Sequence, residues 1–163
     1  MKKTGNLVVV GISGFSVSND PDTTIVTYSL GSCVGVSLYD PVARVGGLLH
    51  AMLPSSSSDP AKAETNPAMF VDTGMVSLLG EMLRAGADKS RILCKVAGGG
   101  SPVDDAGMFK IGERNFAVLR KFLWKNGIMI KGQDVGGREP RTVILDIGTG
   151  VTILKKQSRE EEL

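Results

Sequence analysis

From Ile25 to His50 the chain reads IVTYSLGSCVGVSLYDPVARVGGLLH, a succession of β-branched and leucine-rich segments broken by glycine and proline. Segments of this kind are extended and pair with neighbours in a sheet, so the chain is constrained to a layered architecture with strands at its centre. Within the stretch, Val34 to Tyr39 alternates like a half-buried strand: Val34, Val36 and Leu38 share one parity, Cys33, Gly35 and Ser37 the other. The apolar parity is expected to face the core, which puts Cys33 on the more open face. Tyr39-Asp40-Pro41 marks a turn, and Val45 to Leu53 reads as the following strand, carrying His50, the one histidine of the chain.

Two neighbouring strands on a short connection bring a thiol and an imidazole side by side, and that pairing has chemical consequences. A free cysteine titrates near ~8.5, so little of it is thiolate at neutral pH; an adjacent imidazolium lowers that value and populates the nucleophile. The imidazole in turn needs a third group to fix its tautomer and ring angle. Thr27, six residues before Cys33 and of matching strand parity, is the candidate. Composition leaves a second reading open, in which His50 is a satisfied core residue and Cys33 a small buried hydrophobe.

The remaining chain alternates strand and helix signals. Leu7 to Ile12 and Thr23 to Tyr28 read as strands around the turn cluster Asn19-Asp20-Pro21-Asp22. Residues 54–68 are polar and proline-containing and are expected to form a flexible surface loop, a connector or a lid beside His50. Val71, Met75, Leu78 and Met82 recur at helical spacing between Pro67 and Gly86, and a second helix spans Gly112 to Asn126 and ends at Gly127. Arg91 to Ala97 is a strand that places Cys94 with Ile92 and Val96, a structural thiol. Ile128 to Gln133, Thr142 to Ile147 and Val151 to Leu154 complete the strands, and residues 157–163 of the charged tail are expected to fray. The order implies an α+β (mixed α/β) fold of packed sheets flanked by helices, in a single domain over residues 1–163.

Several chemistries are excluded. The position six after Cys33 is Tyr39, where a cysteine phosphatase needs arginine. One histidine and two distant cysteines fall short of a zinc set, so no metal is expected. Ala97 to Ser101 (AGGGS) lacks the Gly-Lys-Ser/Thr of a phosphate loop and continues into a Val103-Asp104-Asp105 turn; its backbone N–H groups remain candidates to serve a site. Gly148-Thr-Gly150 has Ile153 in place of the third glycine of a dinucleotide fingerprint, so no cofactor is expected. A formal charge of +2 gives no footprint for nucleic acid or an anionic membrane. With no span-length apolar run and no signal-peptide pattern, a cytoplasmic location with reduced thiols is expected.

Taken in order, TYSLGSCVGVSLYDP, HAMLP, KVAGGGS, IGERN and DVGG with a downstream arginine resemble the CheD family of chemoreceptor glutamine deamidases, over about residues 8–156. The resemblance implies a cytoplasmic hydrolase with a fold like that of a bacterial toxin deamidase. It would convert receptor glutamines to glutamate, and in some members hydrolyse receptor methyl esters. It implies Cys33 as nucleophile, His50 as base and Thr27 as the orienting group, with chemoreceptor cytoplasmic domains as substrate and a CheC-type phosphatase as partner. A mainly non-catalytic adaptor is the alternative of another class. The chain departs from the family pattern at Pro67 to Thr73, where Pro-Ala-Met-Phe replaces the usual Lys-Tyr helix start, and at Pro140, where glycine usually precedes the arginine.

Overall fold

The computed structural model describes residues 5–102, 110–157 and 159–163. In chain order the elements are strands β1 (Asn6–Val9), β2 (Gly14–Ser18), β3 (Thr23–Leu30), β4 (Val34–Asp40) and β5 (Val45–Ala51), then helices α1 (Pro60–Thr65) and α2 (Val71–Arg84). Strand β6 (Leu93–Gly98), helix α3 (Ile111–Lys125) and strands β7 (Ile130–Val135), β8 (Arg141–Asp146), β9 (Thr152–Lys156) and β10 (Arg159–Glu162) follow.

The strands form two five-stranded sheets, ordered β1-β3-β8-β9-β10 and β2-β5-β4-β6-β7. Between them lies one apolar layer, with Ile25, Leu30, Val143, Leu145 and Leu154 from the first sheet against Tyr39, Leu48 and Ala97 from the second. The second sheet buries its other face too: Val36, Leu38, Leu49 and Val96 pack on Met75, Leu78 and Met82 of α2 and Leu119 and Leu123 of α3. The result is sheet, sheet and helices in three layers, the α+β arrangement expected. The helices stop where glycine permits a left-handed residue. Gly86 (φ 108°) and Gly127 (φ 67°) follow α2 and α3, and Ala87 N donates to Met82 O and Ile128 N to Leu123 O, so each final turn is closed.

The expected half-buried character of β4 does not hold. The strand is buried along its whole length because both its faces are covered. The parity division survives, with the valine face on the helices and the Cys33, Gly35, Ser37 face on the opposing sheet, where Ser37 Oγ meets Thr152 Oγ1 at 2.9 Å.

Two further expectations are corrected. Residues 54–68 are no plain loop. Asp59 caps α1 by accepting from Lys62 N, and the Ser56 hydroxyl donates to the Asp72 carboxylate at 2.8 Å, fastening the segment to the first turn of α2. A 3₁₀ turn, Pro67–Met69, precedes α2, which starts at Val71 rather than Pro67. The tail does not fray: Arg159–Glu162 pairs antiparallel with β9. Leu163 adds its side chain to the inter-sheet layer, and its N–H donates to Thr152 O at 2.9 Å. The Val103-Asp104-Asp105 turn lies outside the described residues.

Candidate active site

Thr27, Cys33 and His50 come from three segments that meet at one end of the inter-sheet layer. β4 and β5 are antiparallel with Gly35 opposite His50 and Val34 opposite Ala51. One step further along that register sets Cys33 beside Met52, on the face to which His50 projects. The register thus puts Cys33 and His50 diagonally on one face; the space over Gly35, directly across from His50, is taken by Leu30, whose Cδ1 would lie 2.6 Å from a Cβ there, and no hydrogen bond reaches His50 Nε2 from Cys33. Cys33 is half-buried and packs against the inter-sheet cluster; His50 is 1 % exposed.

Thr27 reaches the same place from the first sheet. Its hydroxyl is fully buried, lies 2.7 Å from His50 Nδ1 and donates to Val10 O at 2.7 Å. A hydroxyl has a single proton. Given to Val10 O, that proton leaves the oxygen as acceptor toward the imidazole, so Nδ1 carries the ring hydrogen and Nε2 a lone pair. Nε2 is buried and has no hydrogen-bond partner among the described residues. The ladder between β3 and β8 breaks immediately after Thr27, between Thr27 and Leu30, and Ser29 there takes φ 59°. The chain turns at that irregularity toward the Gly31–Cys33 loop.

Burial governs the protonation of both groups. It lowers the His50 pKa from 6.5 to about 4. It also raises that of the Cys33 thiol, an effect only partly offset by the nearby backbone N–H of the same residue. The resting pair is therefore neutral thiol and neutral imidazole, in place of the thiolate and imidazolium that the sequence suggested. Cys94 sits fully buried between sheet and helices, its thiol pushed to about 12 by burial, which fits a structural role.

The glycines of AGGGS serve the site differently from the expectation. Gly99 N donates to Cys33 O at 2.8 Å and Gly100 N to Gly31 O at 2.9 Å, so these groups hold the cysteine loop instead of facing a ligand. Such an approach tolerates no side chain: at Gly98 (φ +103°) a Cβ would lie 2.2 Å from Cys33 O. Arg141, the downstream arginine of the DVGG segment, is buried. It braces the same loop, donating to Asp134 Oδ1 at 2.9 Å, to Gly136 O and to Gly98 O.

One residue at the site escaped the sequence reading. Asn115, in the IGERN segment of α3, is fully buried and donates to Ser32 O at 2.9 Å and to Met52 O at 3.1 Å. Its spacing of four from Leu119 places it on the buried stripe of α3, where a polar side chain signals a partner.

No group of three or more His, Cys, Asp or Glu among the described residues is arranged to hold a metal ion.

The family model described as "CheD chemotactic sensory transduction" matches residues 52–156, starting two positions beyond His50. Whole-chain similarity reaches further. A protein of Solibacter usitatus named probable chemoreceptor glutamine deamidase CheD is 45% identical across 96% of this chain and 92% of its own length. A Syntrophus aciditrophicus protein named probable chemoreceptor glutamine deamidase CheD 1 is 49% identical across 91% of this chain and 92% of its own. One from Pyrococcus horikoshii, also named probable chemoreceptor glutamine deamidase CheD, is 43% identical across 91% of each. At such identity and coverage, over a fold that assembles the segments by which the sequence resembles these proteins, the chain belongs to the CheD family.

Proposed function

We propose that this protein hydrolyses glutamine side-chain amides of chemoreceptor cytoplasmic domains to glutamate, with Cys33 as nucleophile, His50 as general base and then general acid, and Thr27 holding the imidazole. The observation that carries this reading is the Val10 O–Thr27–His50 hydrogen-bond chain, which leaves a basic Nε2 on the face that Cys33 shares. The names borne by its relatives supply the substrate.

From a neutral pair, the chemistry starts with general-base catalysis. As Sγ forms a bond to the carboxamide carbon, the thiol proton passes to Nε2 and the carbonyl electrons move to oxygen. The imidazolium that forms gives its proton to the departing nitrogen, and ammonia leaves as the carbonyl re-forms in a thioester. Water then attacks that carbonyl while His50 takes its proton. The carbon–sulfur bond breaks, glutamate is released, and the proton returns to sulfur. In this reading backbone N–H groups around Cys33 stabilise the oxyanion in both steps, where donors aimed at developing charge have their largest effect.

Ammonia release from purified receptor cytoplasmic domain, followed for wild type and Cys33→Ala, tests the reading: release by wild type alone supports it, and equal release by both overturns it. Methanol from methyl-esterified receptor would assign the same thioester chemistry to an esterase. The CheC-type phosphatase implied by the family is part of the proposal as a partner, tested by co-sedimentation; binding retained in Cys33→Ala without any turnover would favour an adaptor. The reading places the protein in the cytoplasm, and no helix among the described residues is long and apolar enough to cross a membrane.

A further inference from the structure

Three consecutive carbonyls of the cysteine loop are each held by a hydrogen bond. Gly31 O accepts from Gly100 N and Cys33 O from Gly99 N, and Ser32 O, between them, accepts from Asn115 Nδ2 at 2.9 Å. A peptide unit is planar and trans, so its N–H points opposite to its C=O. With the Gly31 carbonyl fixed toward the glycine loop and the Ser32 carbonyl toward α3, the Ser32 N–H is turned away from the glycine loop and the Cys33 N–H away from Asn115.

Asn115 is the one side chain in this clamp. The same Nδ2 also donates to Met52 O at 3.1 Å, so a single amide joins the loop that carries Cys33 to the segment that carries His50. Helix α3 lies close enough for this because Gly112, one turn earlier, has no side chain: a Cβ there would meet Gly100 O at 2.2 Å. Asn115 itself is fully buried, and its Oδ1 has no hydrogen-bond partner among the described residues. A leucine would fill similar space without burying an acceptor, so packing alone does not account for an amide here.

We propose that Asn115 is a positioning residue that, by clamping the Ser32 and Met52 carbonyls, aims the Cys33 N–H at the nucleophilic sulfur and at the oxyanion formed on attack. The inference rests on the reading of Cys33 as nucleophile and adds to it the group that orients its oxyanion donor.

The test compares wild type with Asn115→Asp, which keeps the volume and loses both N–H donors, and with Asn115→Ala. The clamp predicts a fall in kcat for ammonia release of about 10²-fold with KM within about 2-fold, the size of effect expected for an oxyanion donor. It also predicts that the pH profile of Cys33 alkylation by iodoacetamide moves to higher pH, because the thiolate loses its N–H. A variant that loses thermal stability while keeping kcat within a few-fold and an unmoved alkylation profile would overturn it. Should both variants fail to fold, wild-type NMR decides. The Cys33 amide proton should shift downfield as the thiol ionises, with the Asn115 side-chain protons protected from exchange; an amide indifferent to that ionisation overturns the clamp. Alkylation and NMR need no receptor. A shifted profile in a protein that releases no ammonia would leave the clamp standing and remove the substrate reading.

Discussion

The Thr27 hydroxyl lies 2.7 Å from His50 Nδ1 and donates its proton to Val10 O at the same distance, so one threonine sets the tautomer of the chain's only histidine. The residue that usually orients a catalytic imidazole is a carboxylate, which also stabilises the imidazolium. A neutral hydroxyl fixes direction without adding charge, and this suits a buried histidine that stays neutral at rest.

Thr27→Val, nearly isosteric, should leave Val10 O and His50 Nδ1 unpaired. Ammonia release is expected to fall about 10²-fold through kcat, the scale of general-base catalysis, with a stability cost of roughly 1–3 kcal/mol for the orphaned polar groups. Thr27→Ser keeps the hydroxyl and should retain most of the rate. Equal losses in the two variants, measured by steady-state kinetics and thermal unfolding, would show that the hydroxyl is not the orienting group.

Burial fixes the pH behaviour. Because His50 is held at about 4, the acid limb of kcat/KM should fall near pH 4, and the rate should be level from about 5 to 7. A limb near the ordinary histidine value of about 6.5 would contradict the buried neutral base. Stability is linked in the same direction. The unfolded chain binds the proton more readily between about 4 and 6.5, so the stability associated with neutral His50 is complete above the unfolded pKa and is lost as pH falls through that window. Melting temperatures taken across it should decline less for His50→Gln than for wild type.

Gly98→Ala tests the glycine loop. Its Cβ would fall 2.2 Å from Cys33 O at a φ of +103°, so either the β6 end or the cysteine loop must move. The expected result is a loss of more than about 1 kcal/mol of stability together with a loss of turnover; a fully active, fully stable variant would show that the loop does not position Cys33.

Truncation after Lys156 removes β10 and Leu163, exposing the edge of β9 and part of the inter-sheet layer. It should cost roughly 1–2 kcal/mol, read as a lower melting temperature. An unchanged melt would mean the tail contributes nothing despite its pairing.

Much of this was legible in the sequence, for reasons that also mark where legibility ends. The alternation of Val34, Val36 and Leu38 against Cys33, Gly35 and Ser37 gives the two faces of β4 correctly. That the second face is buried depends on β3 and β8, supplied by distant segments, and no local period carries that information. β2, GFSVS, carries only a weak strand signal because glycine and serine dilute it. β10, REEE, reads as solvated charge, and its pairing relies on neighbours such as Lys155, whose Nζ lies 3.6 Å from Glu160 Oε2. Thr27, Cys33 and His50 could be nominated from parity and spacing. Protonation of the pair could not, since it follows from burial by segments distant in sequence. Asn115 was hidden among polar helix residues, although its register with Leu119 marks it as inward-facing.

The central claim is that Cys33, with His50 as its base, converts receptor glutamines to glutamate. Peptide mass mapping of a receptor cytoplasmic domain after incubation with wild type, Cys33→Ala and His50→Ala tests it directly. The account predicts a gain of about one dalton at specific glutamine peptides with wild type, none with Cys33→Ala, and at most a trace with His50→Ala. The same mass gain produced by Cys33→Ala would contradict it.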